Sequence, residues 1–192
     1  MGTVLQGGDI AGWKSEFRDV ILKSDFYSVS VRSERSVTRA PVGDFVMKWD
    51  SRNLTDLSVA LDDRMQALLA SLIHDPQYNG FGTIGIEGLE LLSVSQETQS
   101  VRYAFTVVPL LCNKAGNLHG GAATTIFDTL TTSALLTIAK PGHWDTLGVS
   151  RALTVISLRT LPLGTKVFLG CEVVAAGKNM ANLKGTMKTT DG

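Results

Sequence analysis

The sequence predicts an α+β fold in which one antiparallel sheet wraps around a single central helix. Three observations point there. Residues 113–139 run from a polar loop through two adjacent glycines into a long helical stretch whose only acid is Asp128. Strand-like segments with period-two alternation lie on both sides of it, two before and three after. An uncharged helix flanked by strands is covered by them, because it has no polar face to offer to water.

The elements follow in order. In residues 1–53, Trp13, Phe17, Val20 and Ile21 fall at helical spacing and suggest an amphipathic helix over residues 10–23. Residues 28–37 read as an extended segment in which Val29 and Val31 alternate with polar neighbours. Arg32, Arg35 and Arg39 form a mild basic cluster, best read as solvated surface. Residues 57–74 predict a helix with an apolar face of Leu61, Met65, Leu68, Leu69, Leu72 and Ile73, capped by Asp56 and ended by Asp75-Pro76. Residues 77–88 are a glycine-rich linker. The chain thus divides into a partly helical N-terminal extension, 1–87, and a sheet-forming domain, 88–192. In that domain strands are expected at 88–95 and 100–108, the latter with Val101, Tyr103, Phe105 and Val107 on one face. The central helix should stop at Lys140-Pro141-Gly142. Strands follow at 148–158, at 166–176 with Val167, Leu169, Cys171, Val173 and Ala175 inward, and, after the turn Gly177-Lys178-Asn179, at 180–190.

Composition narrows the function. Lys+Arg and Asp+Glu both number 18, so the formal net charge is zero and nothing in it favours nucleic acid or an acidic membrane. Two cysteines make no disulfide framework, which suits a reducing, intracellular compartment, cytoplasm first and mitochondria second. Cys112 adjoins the central stretch, but no base is placed beside it, and it reads as a small residue ending a strand. Three histidines form no metal-ligand spacing, so no metal or cofactor is expected. No apolar run is long enough to span a membrane, and the N-terminus lacks the basic start and apolar core of a signal peptide. Gly148-Val149-Ser150-Arg151-Ala152 has the outline of a nucleophile elbow, but strand-like residues follow it where a helix is required.

The chemistry lies in the central stretch. The first N–H groups of a helix have no internal partner and carry the positive end of its dipole. Glycine lets a ligand oxygen approach them without meeting a Cβ. Gly120 and Gly121 therefore offer oxyanion donors, and Asp128, about two turns further on, offers a carboxylate that an apolar helix does not hold without a purpose or a partner.

The pattern N-x-x-G-x-x-H-G-G-x-x-x-x-x-x-D, carried by Asn113, Gly116, His119, Gly120, Gly121 and Asp128, resembles the PaaI-like hotdog acyl-CoA thioesterases, including the acyl-coenzyme A thioesterase 13 type. The resemblance covers residues 88 onward. It implies the hotdog fold and hydrolysis of an acyl-CoA thioester at the interface of a homodimer or homotetramer, with Gly120 as oxyanion donor and Asp128 as general base or nucleophile. It implies that His119 orients the thioester, Asn113 helps place water or substrate, and Ser150 assists. It implies further that Gly121 and the turn Gly177, Lys178 and Asn179 contact coenzyme A. Asn113 and Ser150 can equally satisfy local backbone, and a solvated hairpin accounts for 177–179. Two other readings stand beside it, a non-catalytic acyl-CoA-binding hotdog and a hotdog hydratase or dehydratase. The resemblance also implies a further strand after Asp191-Gly192, lying between the 180–190 and 148–158 strands. Without it, the sheet has two open edges unless residues 27–37 fill the gap or the two sheet halves close directly; the open-edged form is the expectation, because Arg32, Glu34 and Arg35 suit an exposed segment.

Overall fold

The computed structural model describes residues 28–32, 54–74, 81 and 88–190. The helix expected at 10–23 and the arginines at 35 and 39 lie outside the described residues. Six strands, β1 (Ser28–Arg32), β2 (Glu90–Ser95), β3 (Ser100–Thr106), β4 (Val149–Thr154), β5 (Lys166–Ala176) and β6 (Met180–Lys188), form one sheet. Their order is β2-β3-β5-β6-β1-β4, and every neighbouring pair is antiparallel. Helix α1 spans Leu61–His74 and helix α2 spans Gly120–Ser133.

Alternation along the strands sets the core. Val101, Tyr103 and Phe105 of β3, Val167, Leu169, Cys171 and Val173 of β5, and Ala181 and Leu183 of β6 are buried. Against them α2 sets Ala123, Ile126, Phe127 and Leu130, at the helical spacing that keeps one face inward. Gly185 of β6 seats this helix: a Cβ there would lie 2.6 Å from Phe127 Cδ1 and 2.6 Å from Thr131 Cγ2, both buried side chains. From α1, Met65, Leu68 and Leu69 join the same core. Burial pushes the Cys171 thiol well above its ordinary range, with the Glu172 charge adding to it, so that sulfur stays protonated and inert.

The open gap expected between β6 and β4 is filled. β1 pairs with β6 through Val29↔Leu183 to Arg32↔Met180, and with β4 through Ser28↔Thr154 to Arg32↔Val149. Val31 is fully buried there. The sheet thus takes a strand from before the boundary expected at residue 88. A five-residue strand needs only one buried β-branched side chain and two free edges to pair with, and its flanking polar residues mask that in the sequence.

Other boundaries moved for local reasons. The Asp56 carboxylate accepts from Ser58 N at 2.9 Å and Ser58 Oγ at 2.6 Å, and Val59 N bonds Asp56 O at 3.1 Å. Those bonds, the Ser58 hydroxyl foremost, hold its pKa below the ordinary value. Asp56 therefore closes a turn instead of capping, and α1 begins at Leu61. Ala175 is exposed, because a bulge between Val173 and Ala175 shifts the β5–β6 register. β4 stops at Thr154, which pairs with Ser28, the first residue of β1. After Ser133 the central helix tightens into a 3₁₀ turn, Ala134–Thr137, and closes before Lys140.

Candidate active site

The loop before α2 is held by its own backbone. Asn113 Oδ1 accepts from Ala115 N at 2.9 Å and Asn117 N at 3.2 Å, and Gly116 takes φ 75°. That is the local, turn-forming reading of Asn113. Leu118 N bonds Leu161 O at 2.7 Å and His119 N bonds Leu111 O at 2.8 Å, which fixes where the helix starts. His119 is the N-cap, and its Nδ1 accepts from Gly121 N at 2.9 Å. An Nδ1 that accepts a bond carries no proton, so a neutral ring carries it on Nε2. The Gly121 N–H is consequently engaged by the cap. The Gly120 N–H has no partner among the described residues, and a Cβ built at Gly120 meets nothing within 4 Å. Of the two glycines, Gly120 is the one with a free donor at an exposed helix start.

Asp128 sits half-buried two turns down the same helix, and Ser150 Oγ on β4 donates to its Oδ1. Its Oδ2 takes no hydrogen bond from the described residues. Asp128 and Ser150 share an open cleft of about 510 Å³ with Thr129 and Thr132 of α2. Leu68 and Leu72 of α1 form another wall. The turn that delivers Ser150 is strained: Trp144 and Leu147 have φ of 54° and 57°. Strain of this kind, about 1–3 kcal/mol per residue, persists only where the surroundings hold it. Trp144 supplies that hold, being buried and donating from Nε1 to Gly177 O at 3.0 Å.

The residues singled out from the sequence thus fall into three groups. Asn113, His119, Gly120 and Gly121 lie at the start of α2, Asp128 and Ser150 lie in the cleft, and Gly177, Lys178 and Asn179 form the exposed β5–β6 hairpin tip. Eight residues of helix separate Gly120 from Asp128, about 12 Å. Leu68, Leu72, Thr129 and Leu147 line the cleft and were not singled out. The apolar face of α1 was legible, but nothing in it says which part of the sheet domain it meets. Among the described residues no group of three or more His, Cys, Asp or Glu could hold a metal, and no helix is long and apolar enough to cross a membrane.

Residues 115–192 match the sequence model of the Thioesterase superfamily. Zebrafish thioesterase superfamily member 2 superposes with a TM-score of 0.58 at 21% identity, over 69% of this chain and 88% of that one. The protein has the hotdog fold. Thioesterase superfamily member 2 from mouse superposes on it at a TM-score of 0.52 and 16% identity, over 67% of this chain and 98% of that one. A mutant thioesterase from Pseudomonas aeruginosa does so at 0.52 and 18%, over 72% and 88%. No curated protein sequence matches the chain. In this hotdog sheet the position between β6 and β4 belongs to β1.

Proposed function

We propose that the protein hydrolyses acyl-CoA thioesters to the free acid and coenzyme A. The observation that carries this reading is the Asp128 carboxylate in the cleft wall, one oxygen held by Ser150 and the other without a partner among the described residues. A carboxylate so oriented accepts a proton from an attacking water, or attacks the thioester carbonyl itself. In the water route the oxygen bonds to the carbonyl carbon and its proton goes to Asp128. The oxyanion then collapses, the C–S bond breaks, and the proton passes to the departing thiolate.

The oxyanion needs a donor about 3 Å away. Gly120 of the same helix is about 12 Å from Asp128. We therefore assign the donor to Gly120 of a second copy, which makes a homodimer, or a homotetramer built from dimers, the active form. His119, by capping Gly121, leaves Gly120 as the outward N–H. Asn113 acts one step back, holding the loop that presents His119. Lys178 at the hairpin tip, flanked by Gly177 and Asn179, is a solvent-exposed cation suited to a coenzyme A phosphate.

Incubating the protein with acyl-CoAs and a thiol reagent tests the reading. Thiol release that is lost in Asp128→Asn is the expected result. A wild-type protein that binds acyl-CoA without releasing thiol is a binding protein instead.

A further inference from the structure

We propose that α1 builds the acyl subsite, so that the cleft between α1 and α2 takes an uncharged, apolar acyl chain whose length Leu72 limits. This rests on the acyl-CoA reading and adds to it the substrate class and the residue that selects within it. The cleft of about 510 Å³ is of ligand size. Among the described residues, Asp128 is its single ionisable wall residue. Its hydroxyls are largely engaged inside the protein. Thr132 Oγ1 donates to Asp128 O at 2.7 Å, Ser133 Oγ donates to Leu130 O at 2.6 Å, and Ser150 Oγ donates to Asp128. Ser133 Oγ also contacts Tyr103 Oη at 2.5 Å, and with its own proton given to Leu130 it is the acceptor there.

Three of the five hydroxyls on this wall are so engaged, those of Thr129 and Thr146 taking no hydrogen bond among the described residues, so the wall offers a polar acyl group few free donors. A carboxylate at the far end of the chain would in addition lie in a cleft whose only charge among the described residues is negative. The apolar part of the wall is formed by Leu68 and Leu72 from α1 with Leu147 and Val149. Leu68 is 1% exposed and belongs to the core, so it is floor. Leu72, one turn further, is only partly buried, so it can close on a chain of one length and block a longer one.

The test uses S-alkyl-CoA thioethers of increasing chain length, which bind but cannot be hydrolysed, titrated into wild type, Leu72→Ala and Leu72→Trp. Wild-type affinity should rise about threefold to fourfold per methylene until the cleft is full. The plateau should come at shorter chains in Leu72→Trp and at longer chains in Leu72→Ala. A thioether ending in a carboxylate should bind at least tenfold more weakly than its alkyl counterpart. Identical chain-length profiles in all three proteins, or affinity independent of length in wild type, overturns the proposal. Thioester turnover is measured separately. Turnover with unmoved profiles removes the α1 subsite and keeps the hydrolase. Moved profiles without turnover keep the subsite and remove the hydrolase.

Discussion

At the scale of single residues, the carboxylate and the free N–H make separable predictions. Asp128→Asn keeps shape and volume but can neither accept a proton nor attack. It should lower kcat by roughly 10²–10⁴ with an unchanged circular dichroism spectrum, and near-normal kcat would remove Asp128 from the chemistry. Ser150→Ala removes one hydrogen bond to a charged group, about 1.5–3 kcal/mol, so a loss of roughly 10- to 100-fold is expected, smaller than that of Asp128→Asn. Gly120→Ala is the sharper case, since its new methyl meets nothing within 4 Å among the described residues. Folding stability should hold while kcat falls, because only a ligand oxygen approaching that N–H would meet the Cβ. Should activity decline only in step with folded protein, the glycine serves packing and not the oxyanion. Gly121 differs, because a Cβ there lies 3.0 Å from His119 Nδ1 and would disturb the cap.

At the scale of elements, two contacts decide the architecture. Helix α2 rests on β6 at Gly185, where the nearest atoms belong to Phe127 and Thr131, both buried and unable to yield freely. Gly185→Ala should therefore destabilise by about 1–3 kcal/mol, as overpacking does, and lower Tm by several degrees in a calorimetric scan. The second contact is β1. Val31 is its buried anchor, across from Ala181 on β6 and Ser150 on β4. Val31→Asp places an unpaired charge in the core and should cost several kcal/mol. It should also deprotect the β4 and β6 amides to hydrogen exchange while those of the β3–β5 pair stay slow; uniform loss or no loss across the sheet would contradict the seating of β1.

At the scale of the whole molecule, the proposed mechanism calls for two copies, because Gly120 and Asp128 lie about 12 Å apart along α2. If each site takes Gly120 from one subunit and Asp128 from the other, inactive Gly120→Val and Asp128→Asn chains should complement. In a mixed dimer one site receives both substitutions and the other neither. Random mixing, which makes half the dimers mixed, then recovers roughly a quarter of wild-type activity. No recovery on mixing proteins that demonstrably exchange subunits would mean a site within one chain. β4 stands at the edge of the sheet, with Val149 44% exposed on it. An edge of this kind is the natural place for another strand to pair.

Sequence alone determined what depends on local pattern. Alternation marks β3, β5 and β6 because a strand turns every second side chain to the same face, and the apolar run after Gly120-Gly121 marks α2 as the covered helix. The loop, the glycines and the lone acid were legible because each is an unusual choice at its position. Tertiary structure decided the rest. Only it brings Ser150 to Asp128, 22 residues away, and only it sets Leu68 and Leu72 in the same cleft. Only it divides the two glycine N–H groups, one to His119 and one to solvent. It also seats β1 between β6 and β4 in place of the gap expected there. The physical reason is common to the three long-range cases. A helix or strand states in its sequence which face it must bury, but hydrophobic burial is non-directional and names no partner. The partner is set by which surfaces and edges the rest of the chain leaves uncovered.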